Sequence, residues 1–239
     1  MPVHLPRKLK INSSRYYLEN FARAAAESLP TGAIMLDAGA GDCIYKPLFS
    51  HVTYEAADIC KLDKAYGEIN YVCDLSEIPV EDNRYDLVFC SQTLEHLPDP
   101  QKVLKELFRV LKPGGKLWLS APLFYEEHEI PYDYFRYTQY GLRRLCEETG
   151  FAINTMQWLE GYYGTLSYQL NMAARVLSSN PTNHGSGLIG FLSACSILLL
   201  KPFFAILSIY FAHLDLKYKF TSAGQCKNYT LTATKITEA

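Results

Sequence analysis

What the 239-residue chain lacks narrows it first. It has no basic block: Lys and Arg total 23 against 25 Asp and Glu, for a formal net charge of -2. A chain so balanced offers no electrostatic footprint for nucleic acid, and none is expected as a partner. It has no C-x-x-C. The 7 cysteines stand apart at Cys43, Cys60, Cys73, Cys90, Cys146, Cys195 and Cys226, and their number is odd. Reduced core thiols of a cytoplasmic protein are expected, with no metal. The basic stretch Met1–Lys10 lacks an apolar core segment and does not read as a secretory signal. The apolar segment at 188–214 is broken by Lys201-Pro202, so neither half reaches the ~20 residues that span a bilayer.

What is present begins with Ile34-Met35-Leu36-Asp37-Ala38-Gly39-Ala40-Gly41-Asp42. The apolar run reads as a short buried strand, entering a tight glycine turn and then a helix. Gly39 and Gly41 let the backbone come close to a ligand. Asp37 falls where the strand ends, the edge at which open α/β sheets bind ligands. A dinucleotide site would want a third glycine and no charge at the helix start; this turn lacks the first and carries Asp42. A ligand with a cationic amine fits better, since a carboxylate only accepts hydrogen bonds.

Further along, Thr53–Asp58 reads as a second strand with Asp58 at its end. It lies about 20 residues past the glycine turn, the spacing at which an acid meets ribose hydroxyls. Asn70–Asp74 reads as a third strand ending in an acid. Arg84–Ser91 is almost continuously apolar, as suits a central strand buried on both faces. Val103–Leu111 has helical spacing, and Lys112-Pro113-Gly114-Gly115 should stop it before a strand at Lys116–Ala121. A helix Gln139–Thr149 capped by Thr138, a strand Phe151–Leu159 and a late alternating strand Asn228–Lys235 follow. This alternation implies a doubly wound, mostly parallel α/β sheet with a C-terminal helical insertion before the last strand. The expected division is a core at 1–160, an apolar helical insertion at 161–220 and a return to the sheet at 221–239.

Several short patterns occur in order: Asp37–Gly41 (D-A-G-A-G), Asp58, Asp74 before L-x-x-I-P, Tyr85–Val88 (Y-D-L-V), Leu94–Leu97 (L-E-H-L) and Arg109–Gly115 (R-V-L-K-P-G-G). Together they resemble the UbiE-like branch of the class I S-adenosylmethionine-dependent methyltransferases, the methyltransferase domain 11 type, over roughly Ala33 to Phe151. The resemblance implies S-adenosylmethionine as cofactor. Asp37, Gly39 and Gly41 would hold its methionine moiety, Asp58 the ribose, and Asp74 and Leu75 the adenine. Ser91 and Gln92 would line the pocket floor, with Glu95 and His96 shaping the pocket near the sulfonium.

The segment Pro122–Thr138 leaves a strand at the ligand edge and is dense in aromatic, acidic and basic residues. Its H-E-x-P-x-D-y-F-R-y-T pattern resembles a subset of the family that sits among cell-surface glycan biosynthesis proteins. His128 is the candidate catalytic base, being titratable near neutrality; alternatively His128 and Arg136 only stitch the loop to the sheet. The segment at 188–214 is apolar all round and reads as a helical hairpin meeting a membrane surface, a second copy or the core. The expected function is O-methylation of a glycan or lipid-linked intermediate. A quinone-like acceptor, a nucleotide-sugar or nicotinamide enzyme, and a non-catalytic cofactor-binding scaffold are the rivals. The expected localisation is cytoplasmic, with peripheral membrane contact or a homodimer through 188–214.

Overall fold

Strand β1 (Ile34–Ala38) lies at the centre of a seven-stranded sheet. The computed structural model describes residues 13–185 and 187–236; the basic stretch Met1–Lys10 lies outside the described residues. The other strands are β2 (Thr53–Asp58), β3 (Tyr71–Val72), β4 (Tyr85–Ser91), β5 (Leu111–Pro122), β6 (Phe151–Trp158) and β7 (Asn228–Lys235). Their order is β3-β2-β1-β4-β5-β7-β6. All neighbours from β3 to β5 run parallel, with Met35 opposite Leu87 and Val88 opposite Leu117. β7 runs antiparallel to both β5 and β6, with Leu119 opposite Leu231. The doubly wound sheet, the delayed antiparallel last strand and the helical insertion before it are as the sequence implied.

The central strands are apolar on both sides because helices cover both faces. Met35, Leu36, Leu87, Val88, Leu117 and Leu119 are fully buried. On one side Ala22, Ala25 and Ala26 of α1 (Ser13–Glu27) pack against Met35, Phe49, Leu87 and Phe89. Alanines at that contact let the helix axis come close to the sheet. α2 (Pro100–Val110) starts where Asp99 accepts a 3.0 Å hydrogen bond from the Lys102 amide, with Pro100 supplying a ready-made first turn. It buries Val103, Leu104, Leu107 and Val110 on one face. α3 (Gln139–Glu148) starts at Thr138, whose hydroxyl oxygen accepts from the Gly141 amide at 3.1 Å.

Three local expectations are corrected. β3 has only two residues, because Asn70 already closes the ladder: its side-chain oxygen accepts from the Ala56 amide at 2.8 Å and its own amide donates back at 2.9 Å. Lys112-Pro113-Gly114-Gly115 is no break, since β5 begins at Leu111 and absorbs the glycines where its register against β4 shifts. The split expected at Lys201-Pro202 does not occur either. α5 (Gly187–Tyr218) is one helix of 32 residues with Pro202 inside it, roughly 48 Å long. A single proline removes one backbone hydrogen bond and bends a helix without ending it when the flanking turns hold.

Chain contacts separate residues 17–159 with 228–236 from a second unit containing 160–227. Within the second unit, α4 (Tyr162–Val176) packs against α5. The Ser167 and Ser208 hydroxyls each donate to the other's backbone carbonyl, at 2.8 and 2.9 Å, and Tyr163 stacks on Phe211 and Phe220. The buried positions of α5 are Gly190, Ala194, Ser208, Ala212 and Asp215. Its Leu188, Ile189, Phe191, Leu198, Leu199, Phe203 and Ile206 are exposed.

Candidate functional site

The chain leaves β1 toward β2 on one side and β4 toward β5 on the other. The carboxyl ends of β1 and β4 therefore border the crevice where open α/β sheets take their ligands. The turn after β1 is built for close approach. Gly39 adopts φ +82, and a Cβ there would lie 2.1 Å from the Thr93 methyl. Its amide donates to the Ala57 carbonyl at 2.8 Å, tying the turn to β2. The Gly41 amide donates to Asp58 at 3.0 Å, and the other Asp58 oxygen accepts from the Cys60 amide at 2.9 Å. Each of these oxygens keeps a lone pair for a ligand.

A cleft of about 890 Å³, open to solvent, lies over this turn. Gly39, Gly41, Asp58, Asp74, Leu75 and Gln92 line it, so six of the residues singled out from sequence converge on one wall set. Asp74 accepts from the Ser76 amide, which holds its carboxyl below the usual range. Two others stand behind the cleft. Asp37 is buried under the turn and accepts from the Tyr54 hydroxyl. Burial pushes its pKa up to about 7 against the pull of that hydrogen bond, and the Asp58 and Asp42 charges add to the rise. The Ser91 hydroxyl pairs with that of Ser120 at 2.9 Å, inside the sheet.

His96 and Leu97 of the L-E-H-L pattern line it too, while much of the rest was not legible as motif. Thr93 and Pro98 flank that pattern, and Thr93 in particular continues the Ser91-Gln92 strand end. Lys61, Lys64 and Tyr66 come from an irregular loop with no signature; Glu129, Tyr132 and Tyr134 come from the aromatic segment after β5. Lys64 pairs with Glu129 at 2.6 Å and Lys61 lies over the Tyr132 ring, so the two loops are tied at the cleft.

The segment after β5 is drawn to the sheet edge by its backbone. The amides of Tyr134 and Phe135 donate to the Glu95 carbonyl at 2.9 and 3.2 Å, and the Tyr137 hydroxyl donates to the Leu94 carbonyl at 3.0 Å. Arg136 grips Asp133 with two bonds of 2.6 and 2.7 Å, holding that carboxyl far below the usual range. His128 does not line the cleft, but its ring meets that of His96 edge-on, centroids 4.7 Å apart, and His96 does line it. Arg136 also donates to the Tyr125 and Glu126 carbonyls, so its bonds tie the segment to itself rather than to the sheet, and the His128 Nδ1 sits 3.3 Å from Asp133. Glu95 is wholly buried, which raises its pKa to about 8, and burial pushes the His96 imidazolium down.

With this geometry in place, comparison with known proteins is decisive for the core. A family model described as a methyltransferase domain matches residues 36–119. Residues 36–119 thus resemble a methyltransferase domain. The surrounding sheet has the class I, Rossmann-like methyltransferase fold. It superposes on the Burkholderia thailandensis 1,6-didemethyltoxoflavin-N1-methyltransferase with a TM-score of 0.54 at 16% identity, over 95% of this chain and 80% of that one. It also superposes on the cyclase SpnF with a TM-score of 0.59 at 18% identity, over 92% and 82%. In sequence, the domain resembles the ubiquinone biosynthesis O-methyltransferase of Coxiella burnetii (strain RSA 493 / Nine Mile phase I). The match is 47% identical over 54 residues, 22% of this chain and 23% of the relative. The same-named enzyme of Aliivibrio fischeri (strain ATCC 700601 / ES114) matches at 31% over 136 residues, 50% and 53%. The chain thus spans about half or less of the length of these curated relatives.

The residues present suit S-adenosylmethionine. The cleft joins a glycine cradle that a Cβ would fill to two carboxylates with lone pairs to spare and an apolar Leu75 wall.

Proposed function

We propose that the protein is an S-adenosylmethionine-dependent methyltransferase that methylates an oxygen of a glycan or lipid-linked intermediate. The observation that carries the reading is the convergence of Gly39, Gly41, Asp58, Asp74 and Leu75 on one cleft at the switch point of the sheet. In this reading Asp58 holds ribose hydroxyls, Asp74 and Leu75 take the adenine, Gln92 and Ser91 form and back the floor, and the glycine turn lies along the methionine moiety. Asp37, once ionised, answers the ammonium from beneath the turn. When bound, the cofactor supplies an electrophilic methyl on a sulfonium. The chain then has to hold the acceptor in line and exclude competing water, and positioning alone can supply much of the acceleration. Proton removal from a hydroxyl falls to His128, whose Nδ1 is oriented by Asp133.

The acceptor class draws support from α5, whose exposed leucine, isoleucine and phenylalanine side chains suit a protein working at a lipid surface. By length and composition this helix could also cross a membrane. A second reading, a small quinone-like acceptor, draws support from the names of the relatives. The cyclase among the structural neighbours keeps the non-methylating rival alive, since fold alone does not fix activity. The test is transfer of labelled methyl from S-adenosylmethionine to extracted lipid-linked glycans, and in parallel to a short-chain hydroxyquinone. Label in the glycan fraction supports the first reading, label in the quinone moves the acceptor to the second, and none in either overturns both.

A further inference from the structure

The Glu95 carboxylate poses a problem that the cofactor site does not solve. Its residue is 0% exposed, and neither oxygen has a hydrogen-bond partner from another residue among the described residues. A buried carboxyl left so costs a large part of its hydration, and such groups in folded proteins point to an absent water or ion.

Its surroundings are those of a ligand set. One donor atom each from Glu95, His96 and His128 lie within 4.8 Å of one another. The His96 Nδ1 is 2.7 Å from the Tyr132 carbonyl oxygen. A carbonyl only accepts, so Nδ1 carries the proton and Nε2 keeps its lone pair. That Nε2 is 3.9 Å from Glu95 Oε1 and 3.8 Å from Glu129 Oε2, too far for hydrogen bonds. The His128 Nδ1 faces the Glu126 carbonyl at 3.2 Å and Asp133 at 3.3 Å, so it too is the protonated nitrogen. Asp133 is locked by Arg136. A histidine whose far nitrogen donates to a carbonyl or carboxylate is the usual outer support of a metal-binding imidazole.

We propose that Glu95, His96 and His128 bind one divalent transition-metal ion, with Glu129 as a further ligand, at the wall of the cleft. Two imidazoles and a carboxylate suit such an ion, and catalytic zinc sites use that set with one position left open. The observed separations of 3.8 and 3.9 Å are about half an ångström wider than the ~3.3 Å edge of a tetrahedron with ~2.05 Å bonds. The separations to His128 are bounded by 4.8 Å, so binding would draw the His128 loop inward as well. His96 and Glu129 both line the cleft, so the open position faces it. There it takes an oxygen of the incoming molecule and acidifies a hydroxyl. That last assignment rests on the methyltransferase reading; the ion site itself does not. It also excludes the free-base role of His128, whose lone pair is committed to the ion.

The test is titration of the chelator-treated full chain with Co²⁺, read by visible absorption. The expected result is a signal saturating at one equivalent, displaced by Zn²⁺, without the charge-transfer band that thiolate ligands give. His128→Asn alters a half-buried loop side chain, and Glu95→Gln removes the buried charge; with circular dichroism unchanged, each should lower Co²⁺ affinity at least ~10-fold. No saturable signal, a thiolate band, or equal affinity in both variants overturns the proposal and returns His128 to the role of free base. Titration of the same samples with S-adenosylmethionine keeps failure of the ion site distinct from failure of the cofactor site.

Discussion

The two units obey the hydrophobic rule in opposite senses. In the sheet unit Leu36, Leu87, Leu104 and Leu117 are inside and the carboxylates gather at strand ends. In α5 the buried positions are glycine, alanine, serine and aspartate, and many of the large apolar side chains face outward. Polar solvent rewards the first arrangement and penalises the second. The sheet unit thus covers its apolar side chains, whereas α5 leaves many of its own uncovered. The difference teaches that the two units need separate tests: ligand binding at the strand ends of one, and what covers the apolar side chains of the other.

That comparison breaks first at single leucines. Leu104→Ala empties a site that is 0% exposed and should cost about 2–5 kcal/mol. Leu199→Ala removes a side chain that is 77% exposed and should stay within about 0.5 kcal/mol of the parent. Denaturant unfolding of both compares them directly; equal costs would mean that α5 is covered in solution and the contrast is wrong.

A second effect falls on the glycine turn. Gly39→Ala places a methyl against Thr93 and puts alanine at φ +82. The strain alone is worth about 1–2 kcal/mol, and with the displaced Thr93 it should weaken S-adenosylmethionine binding by at least ~10-fold in calorimetry. Gly32→Ala carries the same positive φ, with open space around it and no place in the cleft. It should lose stability without losing affinity, which separates turn strain from site damage.

Asp37 gives a smaller, signed effect. Its folded pKa of about 7 lies above the ordinary 3.8. The folded state therefore holds an extra proton between those values. Its stabilising contribution is full below pH 4 and is lost as pH rises through about 7. An ammonium-bearing ligand needs the ionised form, so affinity should rise over the same window, with proton release on binding below pH 7. Calorimetry in buffers of different ionisation heat measures that proton; Asp37→Asn should abolish its pH dependence.

The smallest expected change is the sharpest for location. Replacing exposed Leu188, Phe191, Leu199 and Phe203 with serine should leave the unfolding midpoint of the sheet unit almost unmoved while lowering co-sedimentation with anionic vesicles several-fold. Unchanged sedimentation would remove lipid as the neighbour of α5.

The sheet was legible because period and composition agree. β2 and β7 have the bounds read for them, and the Gly39 turn, Asp58 and Asp74 lie on one cleft. The failures have physical causes. Asn70 takes ladder bonds with its side chain, so β3 is shorter than its apolar run. Lys112-Pro113-Gly114-Gly115 reads as a break, yet a register shift lets a strand carry it. Pro202 reads as a helix end, yet one lost hydrogen bond did not outweigh the turns around it. Much of the cleft comes from two irregular loops whose meeting, through Lys64 and Glu129, is a tertiary event with no local signature. Asp37 was placed at the right strand end, but its burial beneath the turn follows only from packing against Tyr54.

The most direct measurement is calorimetric titration of the folded, full-length chain with S-adenosylmethionine, on the parent and on Asp58→Ala. The account predicts one saturable site in the parent and a loss of about 10- to 100-fold in the variant, the value of hydrogen bonds to one charged group. A folded parent that takes up no ligand, or a variant that binds as tightly, would contradict the assignment of the cleft.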